Sequence, residues 1–147
     1  GTHLTECHPA GKKAQALPKF DEASGFLTFT WDGEYDWSYP LALDGHIFDS
    51  KLLLTYTAMF DFRTPTSFEV GLQKFVPVNF KKGMCFTRSS FVSLPWNVVT
   101  DEMNNLSAGI SNELFLENYN KGKKIRVDHI YETLPISCHQ EYSLEFI

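Results

Sequence analysis

Residues 51–73 read Lys51-Leu-Leu-Leu-Thr-Tyr-Thr-Ala-Met-Phe-Asp-Phe62, then Arg63-Thr-Pro-Thr66, then Ser67-Phe-Glu-Val-Gly-Leu-Gln73, and the period assigned to them decides the fold. Taken two at a time, Leu52, Leu54, Tyr56, Ala58, Phe60 and Phe62 are in phase, with Thr55, Thr57 and Asp61 opposite. Successive side chains of an extended chain point to opposite sides, so this alternation predicts a strand with one buried face. Arg63 to Thr66 supplies a turn, after which Phe68, Val70 and Leu72 alternate with Glu69 and Gln73. The stretch predicts a β-hairpin with one wet face.

Working outward, Leu27, Phe29 and Trp31 share one side of Phe26–Trp31 while Thr28 and Thr30 take the other, again at a period of two. Further strands are predicted at Met84–Thr87, Ser90–Leu94, Glu113–Leu116, Lys124–Tyr131 and Tyr142–Phe146, and only Thr100–Leu106 invites a short helix. Many short strands punctuated by Gly, Pro and Asn predict an all-β fold, an antiparallel two-sheet sandwich of the jelly-roll kind. Pro9, Gly11, Pro18 and Gly25 mark residues 1–25 as an irregular N-terminal arm, leaving 26–147 as a single sandwich domain.

Composition narrows the function classes. With 43% hydrophobic and 21% charged residues, the chain has a core to bury and is too apolar for disorder. Its net charge of −5 argues against nucleic acid, because phosphate neutralisation needs a basic stripe. The basic runs, Lys12-Lys13, Lys81-Lys82 and Lys121–Arg126, are too short to make one. No apolar run reaches the ~18 residues of a membrane span. An aromatic share of 15% suits pleated strands and also suits stacking on sugars or partner proteins.

The three cysteines, Cys7, Cys85 and Cys138, form no CxxC pair, which argues against a structural zinc site. Cys7 and Cys138 lie near the two chain ends, which often adjoin in folded domains, and are predicted to form a disulfide. Cys85, within Met84-Cys85-Phe86, reads as a small hydrophobe. The bridge and the sequon Asn105-Leu106-Ser107 both point to a secreted or luminal setting; free thiols would point to the cytoplasm. Gly1–Cys7 has no apolar signal-peptide core, so a leader is either lacking or already removed.

The order of segments carries a resemblance. A strand-turn-strand over Leu52–Phe60 and Ser67–Gln73 precedes a polar-aromatic strand with Trp96, and Lys123–Glu132 follows near the end. Within it, Ile125, Val127, Asp128 and Ile130 match an apolar-x-apolar-Asp-x-apolar closing strand. This succession resembles the galactose-binding-like jelly roll of carbohydrate-binding modules. The resemblance implies non-catalytic glycan recognition, attachment to a larger multidomain protein, and a structural calcium near Asp128, with Asp21 and Glu22 as further donors. Calcium wants six to eight oxygens, more than these acids supply.

Sugar binding needs flat apolar faces for the C–H surface of a pyranose, together with carboxylates and amides for its hydroxyls. Trp31, Tyr35, Trp37 and Tyr39 are interleaved with Asp32, Glu34 and Asp36. Trp96, after Pro95, offers a second platform, and Arg63, Glu69 and Gln73 occupy the expected wet face of the hairpin. The same residues also read as core tryptophans with solvated acids around them, and both readings stay open. The leading expectation is binding of an oligosaccharide or glycoprotein. A protein-interaction or adhesion ectodomain using the same aromatics is the alternative, and a small glycoside-processing enzyme built on two of the 18 acids comes third. Catalytic signatures are lacking: histidines 3, 8, 46, 129 and 139 make no HExxH, no serine sits in GxSxG, and no glycine-rich phosphate loop occurs.

Overall fold

Two apolar clusters joined by the segment 37–48 organise the chain in a computed structural model that describes residues 1–75, 80–96 and 109–147. The first cluster belongs to a sheet. Strands β1 (Glu6–Cys7) and β2 (Lys13–Ala14) pair as a small antiparallel ribbon. Strands β3 (Phe20–Ala23), β4 (Phe26–Thr30) and β5 (Lys82–Cys85) form a three-stranded antiparallel sheet with β4 in the centre. Ser24 and Gly25 connect β3 to β4 with φ of 53° and 85°. Two positive φ values in a two-residue loop give a turn whose twist matches that of the flanking strands. The alternation read in Phe26–Trp31 is present as β4, with Leu27 and Phe29 buried. Strand β5 begins two residues before the predicted Met84. Phe29 packs edge-on against Trp37, ring centroids 5.1 Å apart, and Leu4, Leu17 and Phe20 complete the cluster.

The second cluster is helical, and here the decisive stretch departs from its period-two reading. Residues 50–57 form helix α1 (Ser50–Thr57) and residues 65–72 form α2 (Pro65–Leu72); the predicted hairpin is a pair of helices. An apolar residue stands at almost every position of 52–62, so a helical period fits as well as a strand period. Leu53, Tyr56 and Phe60, spaced by three and four, are the ones packed into the core. The ends of the helices decide between the two readings. Asp49 accepts from the Leu52 amide at 2.9 Å as an N-cap. Thr64 and Ser67 form a reciprocal capping box, and Pro65 takes the first turn, where its missing N–H costs nothing. Phe68 and Leu72, one turn apart, are buried, whereas Val70 is exposed.

Other strand expectations fall in the same way. Glu113–Leu116 lies within helix α3 (Asn112–Asn120), capped by Ser111. Lys124–Tyr131 gives one bridge, Ile125 to Phe146, followed by the short helix α4 (Asp128–Tyr131). Ser90–Leu94 is not a strand, and Tyr142–Phe146 contributes only that bridge. Thr100–Leu106 and the sequon's Asn105 and Ser107 lie outside the described residues. The described residues therefore combine two small antiparallel sheets with helices, in place of an all-β sandwich. The segments that carried the jelly-roll resemblance are helical at 50–57, 65–72 and 128–131.

Residues 1–25, expected as an irregular arm, carry β1, β2 and β3 and place Leu4, Cys7 and Gln15 in the interior. They lie along the C-terminal segment. The Glu6 amide donates to the Ile136 carbonyl at 3.0 Å, the His8 amide to Ser137 Oγ at 3.3 Å, and the Glu141 amide to His8 Nδ1 at 3.2 Å.

A candidate site along the seam between the cores

The chain leaves the sheet cluster at Trp37 and enters the helical cluster at Leu41, so the polar side chains of residues 36–46 lie along a seam between two dry regions. A 3-10 helix, Tyr35–Ser38, sets the first of them. Trp37 turns inward and donates its indole N–H to the Leu4 carbonyl at 3.0 Å. Asp36, one residue earlier, is bracketed by the buried amide of Gln15. Gln15 Nε2 donates to Asp36 Oδ2 at 3.3 Å, and its Oε1 accepts from the Asp36 amide at 3.1 Å. The Cys7 thiol donates to Asp36 Oδ1 at 3.5 Å.

From the other side, Cys138 brings its thiol against the same carboxylate, and its Sγ lies 3.4 Å from Nδ1 of His139. The far nitrogen of that ring, Nε2, is 3.2 Å from Asp44 Oδ2. Burial pushes the Cys7 thiol up to about 11, with the Asp36 charge adding to it. Burial, then Asp36, raises Cys138 as well. The hydrogen bond from His139 holds Asp44 down at about 2 against the opposing effect of burial. The same bond raises His139.

The other end of the seam is built on α2. Tyr39 is 36% exposed, and its hydroxyl meets the Glu69 carboxylate and the Gln73 amide. Burial, then the charge of Glu69, pushes its phenol up to about 12. Glu69 Oε2 accepts from the Leu43 amide at 2.8 Å, and Gln73 Nε2 donates to the Leu41 carbonyl at 3.2 Å, fixing both side chains. His46 lies close by, its charged form disfavoured by burial, with its ring 5.9 Å from that of Trp31.

Of the residues singled out in the sequence, Asp36, Tyr39, Glu69 and Gln73 meet along this seam. Trp37 and Trp96 do not offer open faces. They are 6% and 5% exposed, and the Trp96 indole donates to the Tyr142 carbonyl at 3.1 Å. Trp31 is half-buried edge-on to Phe29, and Tyr35 is exposed on its turn. At the position expected for calcium, Asp128 is engaged by a cationic side chain. Arg126 grips both oxygens of Asp128 at 2.8–3.1 Å and also reaches Glu145 at 3.1 Å, so the acid serves an exposed ion-pair network. The predicted disulfide is corrected: Cys7, Cys85 and Cys138 are free thiols, although the segments bearing Cys7 and Cys138 do adjoin.

Sequence reasoning gave no site role to Gln15, Asp44, His46 or His139 and assigned Cys138 only to a disulfide. The Cys138-His139 pair was visible as two adjacent metal-capable residues, but its partners stand far upstream and only the fold joins them. Among the described residues, Asp36, Cys138 and His139 make the one grouping of three such side chains whose donor atoms all lie within 4.8 Å of one another. Comparison with protein-family models, curated proteins and solved structures finds no match to the chain.

Proposed function

We propose that the chain recognises a polyhydroxylated ligand, a glycan, without catalysis, at the α2 end of the seam. The observation that carries this reading is Tyr39, a residue 36% exposed, whose phenol lies beside the Glu69 carboxylate and the Gln73 amide. A sugar hydroxyl both donates and accepts, so it needs an acceptor and a donor within one hydroxyl's reach. Both supporting side chains are held by backbone groups of residues 41 and 43, which reduces the ordering cost of binding. The exposed ring of Tyr35 offers an apolar face on the same segment.

Retention on a glycan array tests it. Wild type is expected to retain a defined glycan class. Glu69→Gln, which keeps an acceptor for the Leu43 amide, is expected to weaken retention about tenfold or more, the worth of a charge-assisted hydrogen bond. An array blank for wild type, or unchanged by Glu69→Gln and Tyr39→Phe, would end the reading. The interaction-module alternative rests on other residues. Tyr119 on α3 is 77% exposed, with Leu116 also open. Partner capture lost in Tyr119→Ala, on a protein that retains no glycan, would favour it.

A further inference from the structure

The Cys138 end of the seam supports a separate inference, independent of the glycan reading. Three different donors converge there: the Asp36 carboxylate, Cys138 Sγ and His139 Nδ1. Sulfur and nitrogen bound to one zinc at about 2.3 and 2.0–2.1 Å in tetrahedral geometry stand about 3.5 Å apart. Here the separation is 3.4 Å. The second ring nitrogen is placed as a metal-bound imidazole requires, facing a carboxylate, Asp44 Oδ2, at 3.2 Å. With Nε2–H donating to Asp44, the Nδ1 lone pair points back toward Cys138.

The charge distribution agrees. Asp36, Asp44 and Glu69 lie along one seam, and among the described residues none of them pairs with a lysine or arginine. The Asp36 carboxylate is itself positioned by Gln15 and Cys7, so its direction is set before any ion arrives. Thiolate, imidazole and carboxylate together suit a borderline divalent transition ion and do not suit calcium or magnesium, which take oxygen donors.

We propose that Asp36, Cys138 and His139 bind a divalent transition metal of the zinc class, with Asp44 positioning His139 from behind. Three protein donors leave a fourth position for water. Cys7, on the far side of the Asp36 carboxylate, supports that ligand and is not itself one.

Cobalt(II) titration of the reduced full chain tests the site, because a cobalt–thiolate bond gives a near-ultraviolet charge-transfer band. One equivalent is expected to develop the band, and zinc to bleach it by displacement. Cys138→Ser is expected to lose the band, whereas Cys7→Ser and Cys85→Ser keep it. Asp44→Asn is expected to keep the band but weaken binding about 10–100-fold, the usual effect of removing a ligand's outer partner. No band in wild type, or a band that survives Cys138→Ser or disappears in Cys7→Ser, overturns the proposal. Near-ultraviolet circular dichroism without metal checks that each variant folds. Should Cys138→Ser fail to fold, alkylation of wild type decides. Zinc must slow modification of Cys138 at least tenfold while leaving Cys85 unchanged, and equal rates at Cys138 with and without zinc would overturn the site.

Discussion

Asp36 and Trp37 are neighbours on one 3-10 turn, yet one carboxylate collects polar partners while the adjacent indole fills the sheet core. Burial separates residues that composition groups together. Trp37→Ala removes a large core ring and one of the two donors to the Leu4 carbonyl, leaving Gln15 Nε2 at 3.2 Å as the other, so a loss of about 3–5 kcal/mol is expected in denaturant unfolding. Tyr35→Ala, at an exposed position, is expected to stay within about 0.5 kcal/mol of wild type. Equal effects would misplace one of the two rings. The Asp44–His139 pair gives a pH signature in chelator. Asp44 is lowered from 3.8 to about 2, so its contribution is present above about pH 4 and lost as pH falls through 2. His139 is raised above 6.5, so its contribution is full below 6.5 and lost as pH rises through the raised value. The pair is partly solvated and contributes about 0.2–1 kcal/mol between those limits. Asp44→Asn is thus expected to cost most near pH 5 and less near pH 8; a difference that does not vary with pH would remove the pair from the stability of the fold. Asp36, Tyr39, Glu69 and Gln73 were legible as candidates because their chemistry is intrinsic. The loss of Trp37 and Trp96 to the interior was not legible, since the same indole serves a core or a ligand.

At the scale of elements, helices α1 and α2 show why periodicity alone failed. In 52–62 the apolar residues are dense enough to satisfy a period of two and a period of 3.6 together. The information lay at the boundaries, in Asp49 and in Thr64-Pro65-Thr66-Ser67, which reads as a turn or as a helix start. Strand β4 shares the threonine interruption of Leu54–Ala58, and what separates it is pairing on both sides, with β3 and with β5. Gly71 then fixes how closely the helical cluster packs. A Cβ built there would come within 2.2 Å of Cε2 of Phe60, which stacks on Phe68 at 5.6 Å. Gly71→Ala gains helix propensity of about 1 kcal/mol but forces Phe60 aside at about 1–3 kcal/mol. A net loss of stability is expected in thermal unfolding. A net gain would mean that Phe60 moves freely.

At the scale of the molecule, the two chain ends lie side by side without a covalent tie. Glu6 and His8 bond to residues 136 and 137, and Lys12 Nζ meets Glu141 at 2.7 Å. Alkylation after unfolding, with no reductant added, is expected to modify all three cysteines. A mass showing one modified cysteine would restore the bridge between Cys7 and Cys138. Leu41, with 0% exposure, belongs to the helical cluster four residues after Trp37 closes the sheet cluster. That spacing sets Ser38, Tyr39 and Pro40 between the two clusters, and Tyr39 belongs to the proposed glycan site.

The amino-acid sequence by itself determined a globular chain with a core, a strand at 26–30 and a pool of aromatic and acidic side chains for a site. Composition and local alternation act through each residue's own hydrophobicity and through its immediate neighbours. Only the tertiary structure decided that Trp37 and Trp96 are structural, and that Cys138 and His139 meet Asp36. Those outcomes depend on which surfaces bury one another across long stretches of chain, a choice that no local window contains.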